Sequence, residues 1–87
     1  VALTIEDAAA AAAPLAAVVR SNIRAEMARR DIKPQALVPI LGVTKSSAYR
    51  RLDEKDPVEF TLTEIDLVAA AFRISTDVLT RRPQLLD

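Results

Sequence analysis

The stretch Gln35-Ala36-Leu37-Val38-Pro39-Ile40-Leu41-Gly42-Val43-Thr44-Lys45-Ser46-Ser47-Ala48-Tyr49-Arg50-Arg51-Leu52 decides how this chain folds. It holds the only glycine in 87 residues. Glycine alone takes positive φ without steric cost, so a chain this poor in it places one where the backbone turns sharply. Short apolar patterns of helical spacing flank Gly42 on both sides. Thr44, a good N-cap residue, stands two positions after it and opens the second pattern. Helix, sharp turn and capped helix in that order are the sequence form of a helix-turn-helix.

Working outward, the spacing predicts five helices in one domain. Pro14 suits the first turn of a helix rather than its interior. Behind it Leu15, Val19, Ile23 and Met27 recur every four residues as one apolar stripe, with Arg20, Arg24 and Glu26 opposite. This helix is expected to end near Arg30 or Asp31, with Ile32 tucked beneath the next turn. Pro34 opens the second helix, whose apolar residues are Leu37, Val38, Ile40 and Leu41. The third runs from the Thr44 cap to about Asp53 or Lys55, before Asp56-Pro57 breaks it. Val58 and Phe60 lie in an extended connection that plugs an edge of the core. Thr61-Leu62-Thr63-Glu64 fits a capping box, and the helix behind it buries Leu62, Ile65, Val68, Ala69 and Phe72. Ser75 caps a last short helix with Val78 and Leu79. Residues 1–13 read as an Ala-rich helical arm capped by Thr4, residues 14–82 as the domain, and 83–87 as a tail.

Composition limits the chemistry. There is no cysteine and no histidine, which removes disulfides, thiolate metal sites and the commonest general base. No carboxylate pair has a spacing specific enough for acid–base work, so neither catalysis, a cofactor nor a metal is expected, and no small-molecule ligand is evident. The apolar run at 8–19 is too short for a membrane span, and Glu6 and Asp7 precede it where a signal peptide needs basic residues. A cytoplasmic protein is the expectation.

Net charge is zero, but it is unevenly distributed. Over residues 20–52 eight basic side chains stand against two acidic ones, a net of +6, and over 53–66 six acids face one base, a net of −5. A basic segment of this kind is what binds phosphate. At 100° per residue, Lys45, Ser46, Tyr49, Arg50 and Asp53 fall within about 140° of one another on the third helix. Lys45 and Arg50 can donate to guanine O6 and N7, Ser46 can bond either way, and Tyr49 can touch a thymine methyl or a phosphate. Thr44 can bond a phosphate besides capping its helix. Asp53 is read as a cap or a repulsive edge.

These residues resemble those of the Cro/repressor-like (lambda-repressor-like) helix-turn-helix proteins of phages and bacteria. The likeness covers about residues 19–79. It rests on Gln35, on Leu41-Gly42-Val43-Thr44, on Ser47-Ala48-Tyr49-Arg50-Arg51-Leu52, and on Phe60-Thr61-Leu62-Thr63-Glu64-Ile65 with Val68-Ala69-Ala70-Ala71-Phe72 and Ile74-Ser75. The resemblance implies a compact five-helix, all-α domain that regulates transcription from a double-stranded DNA operator, with its third helix in the major groove. It implies base-facing roles for Lys45, Ser46, Tyr49 and Arg50. Phosphate contacts are expected of Gln35, which alternatively supports the third helix, and of Thr44, Ser47 and Arg51, with Gly42 at the turn.

Four features depart from the family pattern. Pro39 lies inside the second helix, which is either kinked or begins late. Arg51 stands where an apolar residue is usual, so the register shifts or Arg51 sits at the packing edge and reaches phosphate. Arg73 replaces a glycine, which predicts a strained or reshaped turn, and Asp53-Glu54-Lys55-Asp56 is acidic near the expected DNA backbone. Three assemblies stay open: a homodimer formed mainly on DNA, a monomer, or a piece of a longer protein. The competing reading is a helical protein-interaction module, an adaptor or antirepressor, suggested by the acidic 53–66 patch and Leu85-Leu86.

Overall fold

A computed structural model describes residues 14–82. The Ala-rich arm expected at 1–13, its Thr4 cap and the 83–87 tail lie outside the described residues. Five α-helices follow one another there: α1 (Leu15–Arg29), α2 (Leu37–Leu41), α3 (Lys45–Leu52), α4 (Leu62–Phe72) and α5 (Thr76–Thr80). A 3-10 turn at Pro34–Ala36 leads into α2. None of the described helices is long and apolar enough to cross a membrane.

One device ends three of the five helices. Asp31, Gly42 and Arg73 have φ of 54°, 68° and 59°, the left-handed region. After each, the next amide closes a wide turn onto the helix it leaves: Ile32 N–H donates to the Met27 carbonyl at 2.9 Å, Val43 to Val38 at 3.3 Å, and Ile74 to Ala69 at 3.0 Å. These are Schellman-type ends, in which the residue after the left-handed one touches the core. Ile32, Val43 and Ile74 all pack against it. The Arg73 turn therefore keeps an ordinary shape, and its departure from glycine costs backbone strain instead.

Pro39 is accommodated by a late start. The 3-10 turn delays α2 to Leu37, so Pro39 falls in its first turn, where a missing N–H matters least. α3 ends at Leu52, a little earlier than expected. The capping box of α4 is complete: Glu64 N–H donates to Thr61 Oγ1 and Thr61 N–H to Glu64 Oε1, both at 3.1 Å. Phe60 just before that cap and Ile65 one turn later are both in the core, the positions of a hydrophobic staple.

The core joins Val19, Ile23 and Met27 of α1 to Leu37, Ala48, Leu52, Phe60, Ile65, Val68, Ala69, Phe72 and Leu79. Two expected members are absent. Leu15 is exposed and Val18 is buried in its helix instead. Leu62 is 86% exposed, because it is the first residue of α4 and Phe60 closes that end of the core. α5 lies along α1, where Asn22 Nδ2 donates to the carbonyls of Leu79 and Arg81, each at 2.8 Å. Ser75 occupies the N-cap of α5, but its hydroxyl donates to Asp77 rather than accepting from a backbone amide.

Candidate nucleic-acid interface

Three interactions orient α3. Thr44 Oγ1 accepts from Ser47 N–H at 3.1 Å, closing the N-terminal end. At the other end Arg24 of α1 donates to the Leu52 carbonyl at 2.6 Å, placing a cation where the helix dipole is negative. Arg51 then locks the inner face. Its Nε and Nη2 donate to the two carboxylate oxygens of Glu64, each at 2.9 Å. Its Nη1 donates to the Ser47 carbonyl at 3.0 Å and also to Ser47 Oγ. Only 8% of Arg51 is exposed.

That geometry corrects the expectation that Arg51 reaches phosphate: every nitrogen of its guanidinium is engaged inside the protein. Ser47, also expected at phosphate, is half-buried with its Oγ turned inward to Arg51. The helical wheel carried this signal, since Arg51 lies about 170° from the centre of the outward set. Glu26 repeats the lesson on α1. Expected opposite the apolar stripe, it is buried and pairs with Arg29 and Arg30. The wheel puts it within about 20° of Val19, in the middle of the buried face. These arginines hold the Glu26 carboxyl below its ordinary pKa, Arg29 most strongly. Arg51 does the same for Glu64, whose charged form also accepts the Thr61 amide.

The outer face of α3 presents the other side chains. Lys45, Ser46, Tyr49 and Arg50 are exposed together, as are Thr44 beside them and Gln35 on the 3-10 turn. Lys45 Nζ lies 5.7 Å from the centre of the Tyr49 ring, a cation–π contact that holds both along the helix. Beside this face runs a groove of about 1030 Å³. Met27 and Ala28 of α1, Ile32 and Pro34 after it, and Ser46, Tyr49, Leu52 and Asp53 line it. Arg24, Lys45 and Arg50 also border it.

The acidic segment after α3 folds back toward this face. Asp53 accepts the amides of Lys55 at 3.4 Å and Asp56 at 3.2 Å, which depress its pKa, the Asp56 amide most. The resulting turn brings Asp56 beside Arg50, whose Nη2 lies 3.1 Å from Asp56 Oδ2. Val58 N–H donates to the Arg50 carbonyl at 3.2 Å and fixes where the connector leaves. From sequence alone Glu64 has its place in the capping box and Arg24 an outer position on α1, but the partners of Asn22, Arg24 and Glu64 are not legible there, since they lie 13 to 59 residues away in the chain. No protein-family model, curated protein or solved structure matches this chain.

Proposed function

We propose that this chain is a sequence-specific double-stranded DNA-binding regulator of transcription that inserts α3 into the major groove. The observation that carries the reading is the exposed row Lys45, Ser46, Tyr49 and Arg50 on a helix capped by Thr44 and preceded by the left-handed Gly42. Those side chains are the donors and the flat ring that read base edges and methyl groups in a major groove. Thr44 and Gln35, exposed at the near ends of α3 and α2, stand where phosphates would pass. We extend the proposal to a Cro/repressor-like helix-turn-helix protein of phage or prophage origin, acting in a bacterial cytoplasm without catalysis. A homodimer assembled on a paired operator would complete it.

The test is selection of duplexes from a random pool, followed by titration of the winner and of a scrambled control. The chain contains one tyrosine and no tryptophan, so the fluorescence of Tyr49 itself reports an occupant of this face. Arg50→Ala should lose about 1–3 kcal/mol on the selected duplex and relax preference at one base pair. Unchanged affinity and specificity in that variant would remove Arg50 from the reading. Sedimentation with and without the selected duplex reports the assembly.

The apolar-floored groove beside α3 favours a second reading, a helical protein-interaction module that keeps the fold without binding DNA. Failure of every duplex to shift at low salt would select it over the first.

A further inference from the structure

Adjacent arginines on α3 are held in opposite ways. Arg51 is buried and bound through both edges of its guanidinium to a carboxylate and a serine. Arg50 is half exposed, and among the described residues one nitrogen of its guanidinium makes all of that group's bonds, at 3.1 Å to Asp56 Oδ2 and 3.4 Å to the Asp56 carbonyl. Nε and Nη1 of Arg50 take no part in that pairing. Asp53 builds the turn that returns Asp56 to this position, so the pairing follows from the local fold rather than from a chance meeting of two long side chains.

We infer that Asp56 is a specificity-determining residue: an internal anion that keeps Arg50 from the phosphates of non-cognate DNA and yields it to a matching base pair. The inference rests on the DNA-binding reading above. A backbone phosphate offers Arg50 what Asp56 already supplies, an exposed anionic acceptor, so the exchange gains little. A guanine in the major groove offers O6 and N7 together, a bidentate fit that the one-nitrogen bond to Asp56 lacks. On non-cognate duplexes Arg50 stays on Asp56 and neutralises no phosphate. On the operator it moves to the base, leaving Asp56 facing solvent.

The experiment compares wild type, Asp56→Asn, Arg50→Ala and the double variant on a scrambled duplex and on a selected one, across a salt series. Among the described residues the Asp56 side chain bonds only Arg50, so Asp56→Asn leaves the rest of the loop intact. On scrambled DNA, Asp56→Asn should steepen the slope of log affinity against log salt by about 0.9, the signature of one more neutralised phosphate. Its affinity there should rise by at most about fivefold, the scale of one exposed ion pair. In the Arg50→Ala background the same substitution should leave the slope unchanged. Equal slopes for wild type and Asp56→Asn overturn the inference. An equal steepening with and without Arg50 also overturns it, since Asp56 would then act as a plain repelling charge. If wild type binds neither duplex at low salt, the DNA-binding reading itself falls and takes this one with it.

Discussion

Gly42, Asp31 and Arg73 hold the same left-handed conformation, and only one of them is the residue suited to it. A side chain in that region costs about 1–2 kcal/mol of backbone strain. At Gly42 an added Cβ would meet no heavy atom within 4 Å, so strain is the whole penalty. Gly42→Ala should therefore lose about 1 kcal/mol in a denaturant melt, with Gly42→Asn losing less. Arg73→Gly should gain about 1 kcal/mol by the same argument with the sign reversed. A stability loss in Arg73→Gly would mean that its side chain holds a contact worth more than the strain. The lone glycine was legible as a turn because of its rarity. The two matching turns were not, because Asp31 and Arg73 carry no conformational signal, although the apolar residue after each is the same in kind as Val43.

Between elements, the Arg51–Glu64 pair sets how α3 lies against α4. Glu64 serves as N3 partner of its own helix cap and as carboxylate for Arg51 on the inner face of α3, so a single side chain couples two elements. Glu64→Gln keeps a group that can accept the Thr61 amide but leaves Arg51 buried without its counter-charge. It should cost about 3 kcal/mol at neutral pH. The sign of its pH dependence follows from the lowered pKa. Charged Glu64 contributes fully above its ordinary value of 4.5, and that contribution is lost as pH falls through the lower folded value. The gap between wild type and Glu64→Gln should thus close in acid, measured by urea melts at a series of pH values. A gap of constant size would assign the cost to shape rather than charge.

The helix order, the caps at Thr44 and Thr61, the exposed row on α3 and the Phe60 plug were all legible in the sequence, since each depends on residues within a turn or two. Arg51–Glu64, Arg24–Leu52 and Asn22–Leu79 were not, for they join positions that only the folded chain brings together. Leu62 misled for a related reason: its angle on the wheel is apolar, but its height on the helix lies beyond the staple that closes the core.

At the scale of the whole molecule, the basic segment is less available than its residue count implies. Of the eight cations in residues 20–52, Arg51 is committed to Glu64, Arg29 and Arg30 share Glu26, Arg50 lies on Asp56, and Lys33 stands 3.8 Å from Asp31. Arg24 holds the end of α3 yet stays exposed, and Arg20 lies one turn before it on the same side of α1. With Lys45 these make three cations of that segment that pair with no carboxylate among the described residues. Each phosphate neutralised contributes about −0.9 to the slope of log affinity against log salt. On the proposed DNA-binding function, the raw excess of six positive charges predicts a slope near −5 for one chain on scrambled DNA, whereas three unpaired cations predict about −3. Anisotropy titrations of a labelled scrambled duplex between low and physiological salt separate the two. A slope steeper than about −4 per chain would mean that DNA opens the internal ion pairs, and the division of labour between Arg50 and Arg51 would not hold on the bound protein.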